Sequence, residues 1–232
     1  MLDKLKLIYL LMRITFRPLN YHYIEKFRRT LAEQGYMKAG LKFVEGNADN
    51  RRLLESRKLF DHSTLTLESL QKMAPGSLGF EYARFLQKHG LKLVFFKDVA
   101  TDTPEGYFHR RVLETHDVWH VILGWPPDSV GELKLQGFMY AQMCWPTAPF
   151  YTGLALAGNM IKNPALVPSI YAAVAEGWAL GQRTPPLFAY EWENQWDRPI
   201  SEIRHEIGLE AKSTTEEIPE SCTESHGPTI YR

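Results

Sequence analysis

The chain has 232 residues, enough for one large domain or two small ones. Hydrophobic residues make up 44% and charged residues 23%, with 27 basic against 27 acidic side chains, so there is no basic footprint for a nucleic-acid partner. The two cysteines, Cys144 and Cys222, lie far apart outside any CxxC pair, which argues against a disulfide framework or zinc ribbon and for a reducing compartment.

The pattern along the chain is helical almost throughout. Residues 2–16 are expected to form an amphipathic helix in a basic N-terminal region that carries Lys4, Lys6, Arg13 and Arg17. Lys6 interrupts the apolar core that a secretory signal needs, and Asp3 with the lack of serines argues against a mitochondrial presequence. Two readings of this helix remain: packing on its own domain, or lying on an anionic membrane surface. Residues 19–34 have helical spacing and end near Gly35. A short helix over 49–60 has Asp49 or Asn50 as its cap. Pro75-Gly76 marks a turn, and residues 78–89 form an amphipathic helix that ends at Gly90. Leu91 to Phe96 is the single strand candidate, too isolated to make a sheet. Helix resumes near Glu105 and runs to Leu123. The expected architecture is all-α: a single-domain helical bundle over 1–208 with an apolar cavity and at most one short strand. Residues 209–232, rich in Glu, Ser and Thr, form a disordered tail by composition.

From Leu135 to Ala175 the only charged residue is Lys162. Such a stretch is either buried on most sides or faces something apolar. Several prolines divide it and Gln136 and Gln142 interrupt it, so it is no membrane span. Plain core is one reading. The other is a groove for a lipid tail, lined by Met139, Met143, Leu154, Ala155 and Gly158.

The pattern with the most chemistry is HDVWH, then eleven residues, then Glu132. On a helix His116 and His120 share a face, with Asp117 beside them. Pro126-Pro127 must end that helix and allow the chain to bring Glu132 back. Imidazole with carboxylate suits one divalent ion at His116, Asp117, His120 and Glu132, zinc by ligand type, with iron or magnesium as alternatives. The competing reading makes Glu132 the partner of a Ser129 capping box. The motif is not HExxH, so protease chemistry is not supported.

Those residues match the hallmark HDxxH-x11-E of the coenzyme Q biosynthesis protein four family, and the chain resembles a bacterial-type homologue of it. Leu67 to Tyr82, Tyr107 to Glu114, Gly181-Gln182, Pro186 to Phe188, Trp192-Glu193, Trp196 and Pro199 to Glu206 also look like family segments. The resemblance covers roughly residues 5–208. The chain departs from the family at Gln136 and Met139, where a lysine and an acid are common. The resemblance implies an all-helical protein with a bound divalent ion and a cavity for an isoprenoid chain. It also implies peripheral membrane attachment, association with other quinone-biosynthesis enzymes, and oxidative decarboxylation at ring carbon one.

Three functions are therefore in view. The first is a prenylquinone-biosynthesis protein that binds a polyprenylated intermediate, with Arg110 or Arg111 pairing with an anionic head group. The second is a non-catalytic isoprenoid-lipid-binding scaffold. The third is a metal-dependent phosphohydrolase, which would need a further histidine such as His62, His89 or His109. The apolar content suggests a homodimer, and the expected location is cytoplasmic, on the inner face of a membrane.

Overall fold

The computed structural model describes residues 2–16 and 21–209; the tail expected from 209 onward lies outside them apart from Leu209. The described residues form eleven α-helices and no sheet. They are α1 (Leu2–Phe16), α2 (Tyr21–Glu33), α3 (Met37–Val44), α4 (Ala48–Ser56), α5 (Leu67–Gln71), α6 (Leu78–Lys88), α7 (Pro104–Leu123), α8 (Ser129–Met143), α9 (Ala148–Lys162), α10 (Val167–Arg183) and α11 (Ile200–Glu206).

Local chemistry sets the ends. Asn47, not Asp49 or Asn50, caps α4, and its side chain accepts from the Asp49 and Asn50 amides at 2.8 and 3.1 Å. Thr103 caps α7 by accepting from the Gly106 amide at 3.1 Å. Pro104 at the first helical position has no amide to leave unpaired. Leu91 to Phe96 is not a strand. No neighbouring strand takes up its backbone groups, and Leu91, Leu93 and Phe95 pack on the core instead.

The main core surrounds α7. Phe108, Val112, Val118, Trp119 and Ile122 on that helix meet Leu135, Phe138, Met139 and Met143 of α8. Leu187, Phe188, Trp192, Trp196 and Ile203 close it from the C-terminal segment. Each large apolar side chain so buried contributes roughly 1.5–3 kcal/mol. A smaller cluster joins Leu7, Leu10 and Ile14 of α1 to Phe27 and Leu31 of α2, with Leu154 of α9 against it. The opposite face of α1 shows Leu5, Ile8, Tyr9 and Met12 to solvent. The helix is therefore apolar on two faces, and only one is covered within the described residues.

Helices α8 and α10 meet backbone to backbone. A Cβ on Gly177 would stand 1.8 Å from the Lys134 carbonyl oxygen, so no side chain fits there. Gln142 ties the far end: its amide donates to the Gly181 and Thr184 carbonyls at 2.6 and 2.9 Å and its oxygen accepts from the Leu187 amide. The charge-poor stretch divides accordingly. Its first part, on α8, is core. Its second is mostly exposed: Ala148 is the one buried residue of α9, Met160 is 65% and Ile161 80% exposed, and Leu166 and Tyr171 follow on the surface, while Ile170 and Ala173 are buried. No helix among the described residues is long and apolar enough to cross a membrane.

Candidate metal centre

The site grows from the turn between α7 and α8. Trp125 donates its amide to the His120 carbonyl at 3.0 Å, and its own carbonyl lies 3.1 Å from His120 Nδ1. That contact fixes the tautomer: Nδ1 carries the proton and Nε2 offers a lone pair. Gly131 lets α8 start close by, since a Cβ there would stand 1.9 Å from the Pro126 carbonyl oxygen. Asp128, not Ser129, caps α8, with its carboxylate accepting from the Val130 and Gly131 amides at 3.0 and 2.8 Å. The expected capping box is therefore absent, and Glu132 is released from that duty.

Glu132 turns back to α7. Its Oε1 lies 3.2 Å from His120 Nε2 and its Oε2 3.6 Å from His116 Nε2. Donor atoms of His116, His120 and Glu132 all fall within 4.8 Å of one another. His120 Nε2 and Glu132 Oε1 are buried and have no hydrogen-bond partner. With the tautomer set by Trp125, these are two acceptors facing each other, an arrangement that a cation between them would satisfy. The donor set fits a divalent ion of the zinc type.

Asp117 lies apart from these converging donors. Its Oδ1 is 3.0 Å from His116 Nδ1, the nitrogen on the other side of the ring from Glu132. One residue further round the helix, it reaches the outer nitrogen and orients the ring. Burial works against a charged His116, but hydrogen bonds to Asp117 and Glu132 outweigh it and raise the imidazole to about 10. Burial likewise opposes ionisation of Glu132; the flanking imidazoles, His120 first, prevail and hold the carboxyl far below its usual range.

The two arginines differ. Arg110 donates to Glu114 at 2.8 Å and lies 3.0 Å from His62 Nε2. Arg111 is 1% exposed, bonded to Glu193 and donating to the Tyr190 carbonyl at 2.8 Å. Glu193, Glu114 and His62 are thus structural partners that spacing did not single out; for Glu193 the signal was a buried arginine needing an acid. Met139 and Met143 lie in the main core, Leu154 borders the α1–α2 cluster, and Ala155 and Gly158 are half-buried on α9. His62, His89 and His109 are absent from the converging donors among the described residues.

Residues 12–213 match the family described as coenzyme Q (ubiquinone) biosynthesis protein Coq4. The chain is 28% identical over 171 residues to a mitochondrial ubiquinone biosynthesis protein COQ4 homologue of Aedes aegypti, covering 72% of this chain and 61% of that protein. A mitochondrial COQ4 homologue of Xenopus laevis is 31% identical over 169 residues, covering 68% and 56%. The chain thus spans only about three-fifths of these relatives' length. A crystal structure of a Nostoc punctiforme protein, assigned provisionally to ubiquinone biosynthesis, superposes with TM-score 0.77 at 23% identity, covering 89% of this chain and 98% of that one. That likeness speaks for the fold, and the match along the sequence carries the family. The chain belongs to the coenzyme Q (ubiquinone) biosynthesis protein Coq4 family.

Proposed function

We propose that the chain serves ubiquinone biosynthesis by holding a polyprenylated aromatic intermediate, with one divalent ion at the polar end of the bound lipid. His116, His120 and Glu132 hold the ion, and Asp117 orients His116 from behind. The single observation behind this reading is the pair of buried, partnerless acceptors, His120 Nε2 and Glu132 Oε1, turned toward each other. When bound, the ion supplies a Lewis acid for an anionic head group such as a carboxylate. Zinc is the ion that the ligand types favour.

The chain's own groups do the rest. Of the two arginines, Arg110 is the one assigned to the head group: it is less buried than Arg111, which is held by Glu193 and the Tyr190 carbonyl, and it would have to share its guanidinium with Glu114. The tail runs along α9, past Leu154, Ala155 and Gly158. It enters from the exposed apolar end of α9. That end, with the turn at residues 164–166, Tyr171 and the outer face of α1, rests on a membrane surface, giving peripheral attachment from the cytoplasmic side. Other quinone-pathway enzymes are partners on the family's account, and a second copy of the chain is a partner on the ground of its apolar content. Two roles fit this site: a lipid scaffold, or oxidative decarboxylation at ring carbon one. Scaffolding is favoured by the engagement of nearby acids and bases, since Glu114, Asp117 and His62 are each paired.

Native mass spectrometry with elemental analysis of the same sample tests the reading. The expected result is one divalent ion per chain and a co-purifying prenyl lipid. The ion is lost in the His116→Ala/His120→Ala variant while helicity is kept. Full metal content in that double variant contradicts the site.

A further inference from the structure

We propose that the cleft between α2, α3 and the start of α7 is a second binding site, for a small neutral molecule bearing a hydroxyl group. The cleft has a volume of about 310 Å³, at the small end of ligand pockets. His109 lines it, two turns before His116 and about 10 Å along the helix axis, outside the metal centre. It is 6% exposed, and its Nε2 has no hydrogen-bond partner. Nothing in the metal centre uses this residue. A buried ring nitrogen left without a partner is costly, and the residue that carries this one lines the cleft.

The charge of the ligand follows from the surroundings. Burial first, and then the positive charge of Arg28, hold His109 neutral, down to about 3. At the rim, Arg29 pairs with Asp98 at 3.1 Å and Glu33 lies 3.9 Å from Lys6. Glu105 stands in the first turn of α7, where the helix dipole favours an acid. The rim charges are thus answered within the protein, and a charged ligand gains little there. Ala32, Met37, Val99 and Ala100 make the walls apolar. A hydroxyl both donates and accepts, so it satisfies His109 Nε2 in either tautomer.

The test uses the whole chain and four probes of similar size: phenol, toluene, benzoate and benzylamine, titrated by NMR. Phenol is expected to saturate and to move the Val99, Ala100 and Gly106 amides and the His109 ring. Toluene, lacking the hydroxyl, is expected to bind roughly tenfold more weakly, the loss of one buried hydrogen bond. His109→Phe should bring phenol down to the toluene level, while His109→Gln recovers part of the difference. Equal binding of phenol and toluene by the unaltered protein overturns the proposal, whether or not the variants fold. A preference for benzoate or benzylamine overturns it too, as does the absence of a saturable response at the cleft.

Discussion

Helices α7 and α9 invert the usual relation between charge and exposure. Helix α7 carries Glu105, Arg110, Arg111, Glu114 and Asp117 with three histidines, yet twelve of its residues are buried, among them Arg111, Glu114 and His120. Helix α9 carries one charge, Lys162, yet buries only Ala148. Buried charge is tolerated where each group has a partner, and each has one here: Glu193 from the C-terminal segment for Arg111, Arg110 for Glu114, Asp117 for His116. Exposed apolar surface is tolerated where something apolar covers it in use. One helix therefore carries an internal polar site, and the other leaves its apolar surface uncovered within the described residues.

The sharpest way to break this contrast is to remove a partner inside α7. Arg111→Met leaves Glu193 without its guanidinium, and a loss of roughly 3–5 kcal/mol is expected by denaturant unfolding. A loss below about 1 kcal/mol, the scale of a surface pair, would show that the pair is not a buried one.

Smaller is the proton linkage at the metal centre. In the metal-free protein His116 is raised to about 10, so at neutral pH an incoming ion displaces its proton. Zinc affinity, corrected for buffer, should rise about tenfold per pH unit between pH 6.5 and 8. Stability of the metal-free protein carries the matching sign. The His116 contribution is complete below the ordinary imidazole value of 6.5 and disappears as pH climbs through about 10. Affinity that is flat with pH means that His116 is already neutral. The least effect on stability belongs to α9. Met160→Glu with Ile161→Glu should change unfolding by no more than about 0.5 kcal/mol, because both side chains are already in water. The same variant should lose sedimentation with anionic vesicles. Unchanged vesicle binding would move the membrane face elsewhere.

Much of this was legible in the sequence, for physical reasons. The i, i+4 histidines and the double proline predict the return of Glu132, and the structure brings it to both rings. What spacing could not resolve was competition between neighbours. Asp128 and Ser129 are both good caps, and the choice of Asp128 frees Glu132. Arg110 and Arg111 are adjacent, and only packing tells which one meets Glu193. Asp117 is next to a ligand in sequence but reaches the outer nitrogen of the ring. The charge-poor stretch was ambiguous because core and lipid-facing surface lack charge alike. The cleft at His109 had no signal, since its walls come from α2, α3 and residues 98–106.

X-ray absorption at the zinc edge of the zinc-loaded protein tests the central claim most directly. The account predicts two imidazole scatterers with carboxylate oxygen, and loss of the imidazole signature in His116→Ala/His120→Ala. A shell of oxygen alone, the same in both proteins, would place the ion elsewhere and leave His116, His120 and Glu132 as a buried polar cluster.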